Sequence, residues 1–533
     1  MGGKKFHRTV FALAACLALL PAGAAADEIA WMYDPDQVVE IRLGGLSEEE
    51  LDALELEPDE YRKGTFELLV GGEPKGPQLN DVGIRLKGGQ GSARPVKTGK
   101  SGFKVRFDEF VKGQLFFGIK RLTLNNMIQD PSMVHETLTY ELFHMLGLPA
   151  SRTGYAFVKL NGNDYGLFLN LETLDKISLP QWFGTTQHLY EADAPGTDLK
   201  PGGAAGFEVD EGDEEDISDL EALVTAVNDE AGDWSENVSP LADLEQMTAH
   251  WAVERYVGHW DGYAGLPNSL DPDTRPNNYY LHSDAAGVFQ MMPWGTDQTW
   301  ERDDIEFDEP AGGLMFNKCL ADESCKQLYL EGLSDVRCAA LGFDQGAHAA
   351  QLAAMLAPYQ AEEDEARRET SAEEIAAGVE FVEGMAALRP EQLTDYLTAE
   401  GVLGTGPDPC AAPEPEKPLV QTPVQMPPPT EVPPAPKAKL GSVSRLGKYL
   451  KVLVVSPSDG TLRLKARGLH RGLPACAVRT SVDVGPAIVS CRLFGGALRA
   501  LEKHPLRLRL SVRFPAVDGE SVSLTRKIRL PRL

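Results

Sequence analysis

Cysteine is scarce in this chain, seven in 533 residues, with no Cys-x-x-Cys pair and no histidine cluster beside any of them. A structural zinc site, built from closely spaced thiolates and imidazoles, is therefore the weaker account of those cysteines. No apolar run after Leu20 reaches the length of a membrane-spanning helix, so the mature chain is expected to be soluble or anchored only by modification. Cations are in deficit: 51 Lys and Arg face 80 Asp and Glu, a formal charge of −29. Such an acidic surface argues against nucleic acid as a partner of the main body. The chain also lacks the His or carboxylate cluster of a metal-dependent hydrolase. Its most acidic run, Glu208 to Asp219, fails the calcium-loop pattern in its Asp spacing and has no Glu at the closing position. A solvated helix start is the simpler account of that run. Composition is otherwise that of a globular protein, which excludes a fibre or a wholly disordered chain.

What is present is unevenly distributed. Residues 437–533 hold 20 Lys and Arg against 5 Asp and Glu, a balance of +15, which leaves −44 for residues 1–436. Opposite charge on the two parts predicts docking of one on the other or separate binding roles. The N-terminus has a basic start, an apolar run from Thr9 to Leu20 and a small-residue exit at Ala24-Ala25-Ala26. That is a secretory signal covering residues 1–26, and it predicts a secreted or cell-surface protein. A lipoprotein box at Leu13-Ala14-Ala15-Cys16 is the competing reading. Without Cys16, six cysteines remain, and an exported chain should pair them: Cys476 with Cys491, and Cys319, Cys325, Cys338 and Cys410 among themselves.

Length alone demands at least two folded units. Extended runs at Val38–Leu43, Thr65–Val70 and Val82–Leu86, with a polar helix at Glu48–Leu56, predict an N-terminal sheet. The stretch Lys87 to Lys104 carries five glycines with Arg94, Lys97, Lys100 and Lys104. Glycines let backbone N–H groups approach an anion, so a phosphate-binding loop competes with a mobile basic surface loop. Strands at Phe103–Phe107 and Arg121–Leu124 precede a helix capped by Ser132 and running to Leu146, where Gly147 stops it. Its Glu136 and Glu141 are candidate partners for a lysine on an adjoining strand. Asn161-Gly162-Asn163-Asp164 predicts a hairpin between strands Tyr155–Leu160 and Tyr165–Asn170. Helices follow at Ile217–Val227 and Leu241–Tyr256, and more after Trp300 up to about Glu400. Twelve of the thirty residues from Pro407 to Pro436 are proline, a semi-rigid tether. Beyond it, short alternating runs predict an immunoglobulin-like β-sandwich.

Chemistry concentrates between Arg255 and Trp300. Asp261 follows His259 and Trp260, Asn277 and Asn278 precede an aromatic strand, and Asp297 follows Pro293-Trp294-Gly295-Thr296. Two Asp and an Asn on loops flanking a strand suit a divalent-cation phosphoryl-transfer site, because hard cations take oxygen ligands and a hydroxyl nucleophile needs a carboxylate acceptor.

The segments LKGGQGSARPVKTGKSGFKVRF, LNNMIQDPSMVHETLTYELFHMLGLPA, VKLNGNDYGLFLNLETLD and MMPWGTDQTW, with Asp261 to Asn278, together resemble the spore-coat CotH kinase-like family over roughly Ile29 to Gly401. That resemblance implies an α+β, bilobal, atypical kinase-like fold over residues 27–405; it includes neither the Pro-rich linker at 406–436 nor the small basic β-sandwich at 437–533, which composition and alternation predict. It implies ATP with Mg or Mn as cofactors, Asp261 as general base, and Asn278 (or Asn277) with Asp297 as metal ligands. It implies Lys104 as the phosphate-contacting lysine paired with Glu141, with Lys87, Gly89, Gly91 and Arg94 completing the nucleotide loop. Lys87, Lys97 and Lys100 compete for the lysine role. Two departures stand out. Gly295 occupies a position where many members carry Asp, leaving Asp303 or Asp304 as substitutes. About ten residues that include Pro267, Asp271, Pro272, Asp273 and Pro276 extend the spacing between Asp261 and Asn278. The expected function is phosphoryl transfer to Ser or Thr hydroxyls of a secreted or surface protein. The alternative is a non-catalytic adhesion or coat-assembly protein that binds a protein or surface polymer.

Overall fold

The computed structural model describes residues 29–404 apart from 90, 193–195 and 266–275, then 408 and 410. In the C-terminal part it describes 439–446, 449–456, 460–468, 474–482, 485–493, 501, 506–517 and 520–530. The expected signal segment with Cys16, most of the proline-rich stretch, and Pro267, Asp271, Pro272 and Asp273 lie outside the described residues. The chain is a mixed α/β protein in two compact units, Met1–Glu414 and Pro415–Leu533.

The first unit begins with β1 (Val38–Gly44) and α1 (Glu48–Leu56), whose N-terminus is closed by a reciprocal Ser47/Glu50 capping box. β2 (Arg62–Val70), β3 (Glu73–Pro74), β4 (Leu79–Lys87), β5 (Gly102–Arg106) and β6 (Arg121–Asn125) follow. After α2 (His135–Met145) come β7 (Thr153–Leu160) and β8 (Asn163–Leu171), the predicted hairpin. The strand order is β1-β7-β8-β6-β5-β4-β2-β3, and β1 pairs with β2 as well as β7, so the sheet closes into a barrel. Alternation drives this: Ile41, Phe66, Ile84, Phe103, Leu122 and Phe168 point into one buried cluster. Register then places Arg85, Lys104 and Thr123 side by side on the other face, with Lys87 two residues along β4.

Helix α2 starts two residues later than a cap at Ser132 predicts, with Val134 in the N-cap position. Met133 has φ +63, which interrupts a helix, and Asp130 organises the turn by accepting from Ser132 Oγ, Met133 N and His135 N. Its Leu138, Leu142 and Phe143 join the second core of the unit rather than the barrel interior. That core contains β9 (His188–Glu191), β10 (Glu208–Glu211), α3 (Ser218–Val227), α4 (Trp234–Val238), α5 (Leu244–Tyr256), β11 (Tyr279–Ser283) and β12 (Phe289–Pro293). Four helices complete it: α6 (Leu314–Ala321), α7 (Glu323–Leu341), α8 (Gln345–Glu362) and α9 (Ala372–Ala399). The four strands form one sheet in the order β10-β9-β11-β12. Glu208–Glu211 is thus an edge strand at the head of the acidic run, and the helix expected at its end begins at Ser218 with Asp219 in its first turn. Asp219 is nonetheless unlike a solvated residue, since its carboxylate takes bonds from His188, Tyr190 and Ser283.

In the second unit, β13 (Lys439–Leu446), β14 (Tyr449–Ser456) and β17 (Gly485–Arg492) make a three-stranded sheet. β15 (Gly460–Gly468), β16 (Pro474–Val482), β18 (Leu506–Val517) and β19 (Glu520–Leu530) make a four-stranded one, ordered β16-β15-β18-β19. Val452, Leu464 and Leu510 belong to a single hydrophobic cluster fed by both sheets. Among the described residues no helix is long and apolar enough to cross a membrane. Cysteines pair as 319–325, 338–410 and 476–491, within the sets the sequence allows.

The Cys338–Cys410 bond closes the longest loop, with a sequence separation of 72. In the chain-entropy description a loop of that size is worth about 4 kcal/mol. Cys338→Ser is expected to lower the urea-unfolding free energy of the first unit by up to that amount. Equal stability of variant and wild type under oxidising conditions would refute it.

Candidate functional site

The site is assembled at the C-terminal end of α5. Glu254 is 1% exposed, and its carboxylate accepts from Tyr263 N at 3.1 Å and Ala264 N at 2.7 Å. His250, one turn back, lies 3.3 Å from it and His259 lies 3.5 Å away. Burial alone would push this carboxyl up, but the two imidazoles outweigh that and hold it well below its ordinary 4.5. His259 N bonds to Glu254 O, so the chain folds back over the helix end and presents Asp261.

Asp261 accepts from Asn278 Nδ2 at 2.7 Å and from Asn277 Nδ2 at 3.4 Å. Asn278 has φ +52, and its carbonyl accepts from Trp294 N at 3.1 Å, which ties it to the turn after β12. Gly295 in that turn has φ +50, and a Cβ there would lie 2.6 Å from Asn278 Oδ1. A carboxylate at position 295 would therefore displace Asn278 in this arrangement. Asp304 does not compensate, because it is exposed and paired to Arg302 at 2.8 Å. Asp303 is exposed too. Pro276 accepts from Gly196 N, which anchors the far end of the long spacing.

Asp297 sits two residues beyond Gly295 on a single 3-10 turn, Thr296–Gln298. The turn is stitched to α2: His135 Nδ1 lies 2.8 Å from Asp297 O, Thr139 and Thr299 hydroxyls are 2.9 Å apart, and Trp300 Nε1 donates to Thr139. Burial raises the Asp297 carboxyl, while the Lys87 ammonium and His259 draw it down. Glu136, on α2, is 3% exposed and accepts from Asn125 Nδ2, yet its Oε1 is buried with no hydrogen bond. Burial first and Asp297 second push Glu136 to about 8, against the pull of Lys87. Among the described residues no group of three or more His, Cys, Asp or Glu is placed to hold a metal ion.

The basic residues of the glycine loop divide sharply. Arg94 pairs with Glu369 at 2.6 Å, Lys97 with Asp52 at 2.5 Å, and Lys100 with Glu363 at 2.5 Å in a fully buried contact. Arg367 donates to the carbonyls of Val96, Lys97 and Gly99, so the loop is fastened to the segment between α8 and α9. Gly89 N donates to Ser92 Oγ, and Gly91, with φ +87, lies against Gln129. Lys104 is directed elsewhere: burial lowers it, with Arg85, and Glu191 and Asp210 are the carboxylates that act on it. Glu141 pairs with His348 on α8 at 3.0 Å. The predicted Lys104–Glu141 pair is thus not formed, because Lys104 faces β9 and β10 while Glu141 faces α8. Instead Lys87 acts on both Asp297 and Glu136, and the Asp297 carboxylate raises Glu136.

The sequence places Lys87 in the nucleotide loop and as a competitor for the lysine role, offers Glu136 only as a candidate partner for a strand lysine, and gives no role to Glu254. The signal for Glu254 is its spacing, four residues after His250 and five before His259, which places both imidazoles around one carboxylate.

Two outcomes follow from the Glu254 hub. A Cβ on Gly262 would collide with both Glu254 Oε1 and His259 Nδ1, so Gly262→Ala should cost about 1–3 kcal/mol. Chemical unfolding would show this, and an unchanged midpoint would contradict it. Because the folded Glu254 carboxyl lies below 4.5, the folded state binds fewer protons there than the unfolded chain. Its contribution is complete above about 4.5 and is lost as the pH falls. Glu254→Gln should flatten the acid limb of stability against pH, and an equally steep limb in the variant would count against it.

The sequence profile of the family described as CotH kinase protein matches residues 84–393, which is 310 of 533 positions. The chain is 29% identical over 206 residues to the inner spore coat protein H of Bacillus subtilis (strain 168), covering 36% of this chain and 54% of the relative. It is 27% identical over 190 residues to the invasin CotH2 of Rhizopus delemar, covering 31% of each. The matches thus span about half or less of these relatives. On the match over more than half its length, this chain belongs to the CotH kinase protein family.

Proposed function

We propose that this chain is an exported atypical protein kinase that transfers the γ-phosphoryl group of ATP, bound with Mg or Mn, to a Ser or Thr hydroxyl of a secreted or surface protein. The observation that carries the reading is the grouping of half-buried Lys87 and Asp297 with buried Glu136, linked through His259 and Gly295 to the Asp261–Asn278 pair. The barrel then corresponds to the small lobe of a bilobal kinase-like fold and the helical core to the large one. The second unit reads as an immunoglobulin-like sandwich.

In this reading Asp261 accepts the proton of the acceptor hydroxyl, and its bonds from Asn277 and Asn278 hold it in orientation. Asn278 and Asp297 are the residues that would hold the cation. Two oxygen ligands suffice for a nucleotide-borne magnesium, which takes its remaining ligands from phosphate and water. The fit is chemical: the buried Glu136 carboxyl, with an orphaned oxygen, and the half-buried Asp297 carboxyl are both pushed up, and a cation there would neutralise them. Lys87 contacts the phosphates and Glu136 restrains it; Gly89 and Gly91 let the loop backbone approach. The bound nucleotide and its cation supply the phosphoryl group and the neutralisation of its charge.

The second reading is a non-catalytic surface or coat-assembly protein. Gly295 favours it, because the carboxylate carried there by many members is missing. Two of the relatives are named spore coat proteins and one an invasin, which suits surface location under either reading.

Incubating the full chain with γ-labelled ATP and Mg or Mn separates the two. Asp261→Asn, Asp297→Asn and Lys87→Met should each reduce transfer at least about 100-fold, with Lys104→Met less affected. Binding of ATP without transfer by the wild type would establish the second reading, and absence of binding would defeat the first outright.

A further inference from the structure

The outer face of the four-stranded sheet in the second unit is a grid of cations. Leu464 and Ala466 of β15 are buried, so Lys465 and Arg467 point outward. On β18, buried Leu508, Leu510 and Val512 alternate with exposed Arg507, Arg509 and Arg513, and Lys527 is exposed on β19. Register sets Arg467 opposite Arg509 and Arg509 opposite Lys527, an unbroken cationic rung across three strands. The neighbouring rung is Lys465, Ser511 and Thr525, and Arg513 lies opposite Ser523. No Asp or Glu occurs in β15 or β18, and β19 has one, Glu520, at its first position.

Like charges set directly opposite destabilise a sheet, so this rung lowers folding stability unless an anion is bound over it. The chemistry of the face narrows what that anion is. Among its described residues it displays no aromatic ring on which nucleic-acid bases could stack. Among them it also displays no apolar side chain for insertion into a bilayer. Hydroxyls are interleaved with the cations instead, with Ser511 Oγ and Thr525 Oγ1 3.4 Å apart. Guanidinium forks match carboxylate and sulfate groups, and hydroxyls match hydroxyls. We propose that this face binds an acidic polysaccharide, a carboxylated or sulfated sugar polymer lying flat across β15, β18 and β19. The inference is independent of phosphoryl transfer: it holds or fails whether or not the first unit is an enzyme.

The test compares the full chain with the triple variant Arg467→Gln, Arg509→Gln, Lys527→Gln on immobilised polygalacturonate, heparin and neutral dextran. The wild type should be retained by the two acidic polymers at about 50 mM salt, released as salt rises, and pass through dextran. The variant should bind at least about tenfold more weakly, while its thermal unfolding is unchanged or shifted upward, because like-charge pairs have been removed. A lowered unfolding temperature alongside lost binding would mark a folding defect and overturn the proposal. So would equal retention of the variant, no retention of the wild type, or tighter binding to polyglutamate, duplex DNA or anionic vesicles than to either sugar polymer.

Discussion

A single buried carboxylate sets the geometry of this site. Glu254 lies at the end of a helix with almost no exposure, and it is tolerable there only because two imidazoles and two backbone N–H groups surround it. Three of those partners, His259, Tyr263 and Ala264, belong to the turn that carries Asp261. Satisfying the buried charge and shaping the loop are therefore one event, and Gly262 is the residue small enough to permit it.

The second constraint is on Asp297. Its turn is bonded to α2 through His135, Thr139 and Trp300, so the helix that carries Glu136 and the turn that carries Asp297 are held together. This leaves the buried Glu136 and half-buried Asp297 carboxyls both pushed up by desolvation, with Lys87 the cation that acts on each. Such a grouping stores electrostatic demand that a cation or phosphate-bearing ligand would meet. The glycine loop, by contrast, has given up most of its own cations to structure. Arg94, Lys97 and Lys100 bind carboxylates of distant segments, which fastens the loop and leaves Lys87 and Lys104 as the strand lysines near the site. The two differ in company: Lys104 stands with Arg85 against Glu191 and Asp210, whereas Lys87 stands with Glu136 and Asp297.

Much of this protein is legible along its chain. The Asn-Gly-Asn-Asp hairpin, the Ser47 capping box, the stop at Gly147 and the strands of the second unit other than β13 and β16 follow from local turn chemistry and alternation, which act over a few residues and need no distant partner. The order of the motifs placed the chain in its family. The departures are instructive in the same terms. Ser132 has the composition of a cap, yet Asp130 and the positive φ of Met133 delay the helix. The acidic run does end in a helix start at Ser218, yet its first residues, Glu208–Glu211, pair along β9 as an edge strand that the charges alone do not announce.

Sequence by itself determined the elements, the allowed cysteine partners, the charge division and the candidate Asp261, Asn278 and Asp297, because each depends on residue type and short-range spacing. Only the tertiary structure decided that Lys87 and Glu136, rather than Lys104 and Glu141, attend Asp297, and that the sheet closes on itself. Helical phase and cross-strand register select among lysines and glutamates of equal composition, and both are set by which faces are buried against segments more than a hundred residues away.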